Sequence, residues 1–184
     1  MVIIKDNQRV KILPSLKKPG LIVLGLILFC GIVQAQSSTK LFIKKYQPLA
    51  DSLSERYGIP ASVILGVSII ESSAGTSKNC KLLNNFFGIV GKNKLMKTKG
   101  IKSRYKQYDD PHDSFKDFCK LLKKKKYYDK LKGNMDYKLW TDAISKSGYS
   151  EVPSVWKQRI NDTIRKNKLA SGDKKTRQKD QDQP

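Results

Sequence analysis

Ile59-Pro-Ala-Ser-Val-Ile-Leu-Gly-Val-Ser-Ile-Ile-Glu71, followed at once by Ser72-Ser-Ala-Gly-Thr-Ser77, is the stretch that decides the fold. Pro60 suits a first helical position. The apolar residues behind it run nearly all the way round a helix, which marks a central element packed on every side. The spacing predicts a helix from Pro60 to about Ser73, ended by Gly75. Glu71 then falls on its last turn. A carboxylate at the end of a buried helix is costly to ionise, because burial disfavours the charged form. Such a carboxyl keeps its proton near neutral pH and can donate it to a leaving group. From these residues alone the alternative stands beside it, that Glu71 points outward and is solvated.

Working outward, helix signals dominate. A helix is expected over roughly Lys40 to Tyr57, with Leu41, Phe42, Tyr46, Leu49 and Leu53 on one stripe and Gly58 as its stop. Pro48 is expected to bend or split it. Beyond the central helix, one starts near Asp113, with Ser114 and Asp117 as a capping pair and Phe115, Phe118, Leu121 and Leu122 on its apolar face. Another runs from about Asp136 to Ser147, stopped by Gly148. The last follows Pro153 and carries Trp156, Ile160 and Ile164. Strand-like material is confined to Phe87-Gly-Ile-Val90 and Ser103-Arg-Tyr-Lys-Gln-Tyr108, with Gly91-Lys-Asn-Lys and Lys99-Gly100 as turns. The fold class is mainly α (α+β), with one small β-hairpin after the helix that bears Glu71. Residues 39–169 form the domain. Residues 170–184 carry no large apolar side chain and are expected to be a disordered basic tail.

The chain opens on a targeting pattern. Lys5, Arg9, Lys11, Lys17 and Lys18 precede the apolar run Leu21 to Val33, which at 13 residues is short for a membrane span of about 20. Residues 1–35 are therefore expected to be a signal peptide cleaved after Ala35, or an N-terminal anchor if cleavage fails. Phe29 stands where a small residue should precede a lipid-bearing Cys30. The predicted location is periplasmic or secreted, with membrane anchoring only if the leader stays.

Losing residues 1–35 removes those five bases and Asp6 from the chain's 37 basic and 16 acidic residues. The remaining 32 and 15 leave a net charge near +17. Such a surface suits polyanions. For an exported protein the polyanion is cell-wall polymer or membrane surface, and no nucleic-acid partner is expected. Cys80 and Cys119 either pair in the oxidising compartment or remain buried thiols. The one histidine, His112, rules out a His-cluster metal site, and its Asp110-Pro-His-Asp-Ser114 setting reads as a helix entry. No metal or organic cofactor is suggested.

Five blocks then fall in order: the helix ending Glu71-Ser-Ser-Ala-Gly-Thr-Ser77, Asn84-Asn-Phe-Phe-Gly-Ile89, Arg104-Tyr-Lys-Gln-Tyr108, Asp113-Ser-Phe-Lys-Asp-Phe118 and Ser147-Gly-Tyr-Ser150. This succession resembles the glucosaminidase domain of glycoside hydrolase family 73, found in bacterial autolysins and the flagellar muralytic domain. The resemblance covers roughly residues 41–169. It implies a lysozyme-like fold and hydrolysis of the β-1,4 bond between N-acetylglucosamine and N-acetylmuramic acid, with peptidoglycan glycan strands as partner.

Carried over residue by residue, the resemblance makes Glu71 the general acid and places Tyr149 in the cleft near the scissile bond. Asn85, Phe87 and Gly88 fall on an Asn-x-Phe-Gly motif that presents backbone groups to the substrate, while Phe86 reads as core. Tyr105 and Tyr108 either stack on sugar faces or pack, with packing expected for one of them. One departure stands out. The hairpin segment Lys92 to Arg104, where family members often carry a second acid, holds no carboxylate, and the nearest are Asp109 and Asp110. A two-carboxylate mechanism gives way to substrate assistance by the sugar's own 2-acetamido group. The alternative is a non-catalytic peptidoglycan-binding module of the same fold.

Overall fold

The computed structural model describes residues 20–173, with side chains from Ser38 onward. The chain divides into two units, Met1–Gln36 and Ser37–Pro184. In the first unit the backbone is helical from Gly20. The expected cleavage point after Ala35, like the rest of the leader, lies outside the residues whose side chains are described.

The second unit is built on the end of α1 (Gly20–Tyr57) and on α2 (Ala61–Ser72), α5 (Pro111–Lys123), α7 (Tyr137–Lys146) and α8 (Pro153–Lys166). Short helices α3 (Lys78–Leu83), α4 (Leu95–Lys99) and α6 (Tyr128–Leu131) fill the connections. None of those three was expected, because four to six residues are too few to show a period.

Helix α2 is the centre. Every residue from Ala61 to Ile69 is buried, and Val63, Ile64, Leu65 and Val67 are wholly enclosed. Each such side chain contributes about 1.5–3 kcal/mol of burial. It packs chiefly on α8 and also on α7 and α5. Gly66 sets how near α8 can come, since a Cβ there would lie 2.8 Å from Ile164 Cγ1.

Helix α1 runs through Pro48 without a break. Only the Lys44 carbonyl loses its partner, since proline has no N–H to give. Its buried stripe is Phe42, Tyr46, Ala50, Leu53 and Tyr57, whereas Leu41 is exposed. Helix α5 starts earlier than expected, at Pro111, because Asp110 caps it by accepting from His112 N at 2.6 Å. Ser114, expected as that cap, instead accepts from Phe86 N at 3.0 Å and is wholly buried.

The expected hairpin is reduced to one antiparallel bridge, Val90 with Tyr105. Around it Lys106 N donates to the Ile89 carbonyl at 2.8 Å, and Gly91 N and Gln107 N donate to the Arg104 and Lys92 carbonyls at 3.0 Å, while three asparagines add side-chain bonds. Asn84 Nδ2 donates to the Tyr108 and Asp109 carbonyls, both at 3.1 Å. Asn85 Nδ2 donates to the Ile89 and Lys106 carbonyls, both at 2.8 Å. Asn93 Nδ2 donates to the Ser103 and Tyr105 carbonyls, both at 2.8 Å.

Cys80 and Cys119 are both free and buried. Burial pushes their thiols up to about 11 and about 12, so neither ionises readily. The described chain also continues past Leu169, and the rest of the expected tail, residues 174–184, lies outside the described residues. Residues 170–173 form a helical turn, and the buried Asp173 accepts from Ser62 N at 3.1 Å and from Ser62 Oγ. Pro60 gives α2 no side-chain cap, and Asp173 supplies one from the far end of the domain.

Candidate active site

Glu71 sits on the last turn of α2, where the helix leaves the core. The chain beyond it is turned sharply by Ser73, Ala74 and Gly75, at φ values of 51°, 51° and 79°. Two of these three are not glycine, so the turn stores backbone strain. Ser72 holds it, donating to the Ser68 carbonyl at 2.6 Å and accepting from Gly75 N at 2.8 Å. The carboxyl is thereby fixed at the mouth of the core instead of swinging free.

Trp156, on the first turn and a half of α8, donates its indole Nε1–H to Glu71 Oε1 at 2.7 Å. Burial pushes the Glu71 carboxyl above its usual range, while the Trp156 hydrogen bond and the Arg159 guanidinium pull it back down. Burial wins. With Oε1 accepting from the indole, the proton belongs on Oε2. That oxygen lies 3.8 Å from where a Cβ on Gly88 would stand. Gly88 has φ +66° and no side chain, so the turn leaves room beside the acid.

A pocket of about 240 Å³ opens here, lined by Ile70, Glu71, Tyr149, Ser150, Val155 and Arg159 among others. Its walls are polar at Glu71 and Arg159 and apolar at Val152 and Val155, which remain more than half exposed. Tyr149 joins the pocket to the turn opposite. Its hydroxyl donates to the Phe87 carbonyl at 2.8 Å, and its ring meets those of Trp156 and Phe118.

The Asn85, Phe87 and Gly88 motif divides by role. Asn85 is buried, and its amide is spent within the turn: Oδ1 accepts from Phe87 N and Ile89 N, and Nδ2 serves the two carbonyls named above. Phe87 is also buried, its ring stacked 4.2 Å from Phe118. Phe86 is core, as expected. Gly88 alone of the three faces the acid.

The two hairpin tyrosines part company. Tyr108 is buried and donates its hydroxyl to Asp117 Oδ2 at 2.9 Å, an oxygen that also takes Lys106 Nζ at 2.6 Å. It packs. Tyr105 is half-buried, and its Cε1 lies 3.8 Å from the same Gly88 Cβ position as Glu71 Oε2. It therefore flanks the acid.

The two carboxylates at the hairpin exit differ in their surroundings. Asp110 is committed to its cap, and Asp109 is exposed. Among the described residues, the charge that bears on Glu71 is that of Arg159, a cation. Among the described residues no group of three His, Cys, Asp or Glu side chains comes together to hold a metal. Sequence reasoning missed Trp156 and Arg159 as site residues. The available signal was that a buried tryptophan N–H needs an acceptor, and Trp156 lies one helical entry away from Tyr149.

A family model described as mannosyl-glycoprotein endo-beta-N-acetylglucosaminidase matches residues 47–169. Exo-glucosaminidase LytG of Bacillus subtilis (strain 168) is 29% identical over 132 residues, covering 62% of this chain and 46% of LytG. The chain thus spans less than half the length of that relative. The catalytic domain of the autolysin Auto from Listeria monocytogenes superposes with a TM-score of 0.61 at 22% identity, over 73% of this chain and 87% of that one. The glycoside hydrolase domain of FlgJ from Salmonella typhimurium gives 0.57 at 21% identity, over 72% and 90%. At these identities the likeness fixes the fold, which is the lysozyme-like helical one. The matched span takes in Glu71, the Asn85 to Gly88 turn, Tyr149 and Trp156, and the chain belongs to the mannosyl-glycoprotein endo-β-N-acetylglucosaminidase family, the glucosaminidases of glycoside hydrolase family 73.

Proposed function

We propose that this chain is an exported peptidoglycan hydrolase, an endo-β-N-acetylglucosaminidase that cleaves the β-1,4 bond between N-acetylglucosamine and N-acetylmuramic acid. The observation that carries the reading is Glu71, a carboxyl whose protonated form is favoured by burial, fixed by Trp156 and lining a pocket. Family membership and the cell-wall enzymes it is similar to support the substrate class and an extracytoplasmic location.

In the proposed reaction Glu71 Oε2 gives its proton to the glycosidic oxygen as the bond to the anomeric carbon breaks. The acetamido oxygen of the same sugar forms the new bond to that carbon, giving an oxazolinium ion that keeps its N–H. Water then opens the ring and returns a proton to Glu71. Tyr149 fits one part of this. Its hydroxyl proton is committed to the Phe87 carbonyl, so its oxygen is left as an acceptor for the acetamido N–H, which becomes more acidic as the oxazolinium ion forms. The route needs one protein carboxyl, which accords with the absence of a carboxylate from Lys92 to Arg104.

Mass spectrometry of digested peptidoglycan, with the anomer first released read by NMR, tests this. N-acetylglucosamine at the new reducing ends with retained configuration is expected. Reducing-end muramic acid would contradict the bond assignment, and an inverted product would exclude acetamido participation. Binding to sacculi without any new reducing ends would favour the non-catalytic module, the reading that the acid-free hairpin segment also admits.

A further inference from the structure

A second and larger pocket, of about 500 Å³, lies beyond Tyr105 from the acid. Its apolar lining comes from Leu82 on α3, Leu95 on α4 and Ile101, and its basic rim from Lys78, Lys102 and Arg104. That volume is in the range of pockets that hold small organic ligands. The rim charges are not neutralised: among the described residues none of the three has a carboxylate partner, and Arg104 lies over the Tyr105 ring. The whole segment from Ser72 to Tyr108 holds eight lysines and one arginine and no acidic residue. Among the described residues, its only ion pair to the rest of the domain is Lys106 with Asp117. The side of the site formed by α3, α4 and the bridge is thus strongly cationic, while the side formed by α8 is mixed.

From this pocket we infer a subsite for the stem peptide of the glycan strand, its carboxylates on Lys78, Lys102 and Arg104 and its alanine methyls on Leu82, Leu95 and Ile101. The inference rests on the proposed glucosaminidase reading and deepens it. The muramic sugar carries its peptide through a lactyl ether, so a strand seated against Glu71 projects peptide sideways from the cleft. Tyr105 lines the basic pocket and reaches towards the acid, its Cε1 and Glu71 Oε2 both lying 3.8 Å from the Gly88 Cβ position. An apolar floor with a cationic rim suits a short acidic peptide. It suits a bare polyphosphate chain less well, since that would leave Leu95 and Ile101 unused.

The test is equilibrium co-sedimentation of the E71Q chain, which leaves the strands intact, with purified sacculi and with sacculi stripped of stem peptides by an amidase. Binding to peptide-bearing strands is expected to be about tenfold tighter than to stripped strands, and the ratio should fall towards one when K102E and R104E are added. Both substituted side chains are exposed, and circular dichroism checks that the fold is kept. A ratio near one in E71Q, or a ratio unchanged by the two charge reversals, overturns the inference. Displacement by polyglycerol phosphate at lower charge concentration than by free stem tetrapeptide also overturns it, in favour of an anionic wall polymer. Failure of the hydrolase reading shows separately, as unsubstituted chain that leaves both kinds of strand uncut while the binding ratio is still measured.

Discussion

The indole Nε1–H of Trp156 donates to Glu71 Oε1 at 2.7 Å, joining the start of α8 to the end of α2 across 85 residues of sequence. This bond settles which oxygen carries the proton and which way it points. It also favours the ionised form, so the acid rests between two opposed influences: burial raises it, and Trp156 and Arg159 restrain it.

Trp156→Phe should separate those effects. Removing the donor takes away a bond to the carboxylate, so the Glu71 carboxyl rises further. The alkaline limb of the pH–rate profile, where the acid loses its proton, then moves to higher pH. Orientation is lost as well, and kcat should fall by roughly ten- to a hundredfold. A pH profile of kcat on soluble glycan strands reads both. Arg159→Gln should shift the limb in the same direction by less, since Arg159 is exposed and screened.

Glu71→Gln should melt at a higher temperature than the parent at neutral pH. A carboxyl raised in the folded state binds its proton more tightly there than in the unfolded chain. Its stabilising effect is therefore present below the ordinary carboxylate range and is lost as pH rises through the folded value. Glutamine removes that loss and keeps an acceptor for Trp156. The difference in melting temperature should shrink as pH is lowered towards 4, and a difference independent of pH would contradict the assignment of a raised carboxyl.

Gly88→Ala should cost about 1 kcal/mol, because φ is +66°. Its larger effect is local. The new methyl would stand 3.8 Å from both Glu71 Oε2 and Tyr105 Cε1, in the space the glycosidic oxygen must enter. Activity should fall far more than the melting temperature suggests, which paired kinetics and thermal denaturation would show.

Asn85→Leu should behave in the opposite way. It strands two backbone N–H groups and two carbonyls in a turn whose side chains are buried, and should cost roughly 2–4 kcal/mol. Stability falls first, and in the fraction that stays folded KM changes little. A large rise in KM with an unchanged melting temperature would instead give Asn85 a direct hold on substrate.

Much of this was legible before any coordinates. The all-round apolar character of residues 59–70 identified the central helix, since only an element packed on every side tolerates it. Gly58, Gly148 and Pro153 lie at helix ends, as their backbone preferences dictate. The hairpin misled because aromatic and branched residues at Phe87 to Val90 imitate strands. The competing information sat in Asn84, Asn85 and Asn93, whose amides satisfy the backbone from the side. The tail misled for a similar reason: Asp173 looks like one more solvated acid, and its pairing with Ser62 crosses 111 residues. At the site, Glu71 could be singled out from local pattern, and Tyr149 from the family resemblance. Trp156 could not, because its apolar spacing on α8 is satisfied equally by a core role.

Asp173→Ala provides a check on that long-range cap. Ser62 N loses its acceptor at the start of α2, and the variant should lose about 0.5–2 kcal/mol in urea denaturation. Activity at temperatures well below the melting point should be untouched, since Asp173 lies at the opposite end of α2 from Glu71.

The most direct measurement is the rate at which purified sacculi are solubilised by the parent chain and by Glu71→Gln, with both shown to be folded. The expected result is lysis by the parent, with new reducing N-acetylglucosamine ends, and a loss of at least about a thousandfold in the variant. Lysis by the variant at a comparable rate would contradict the assignment of Glu71 as the proton donor.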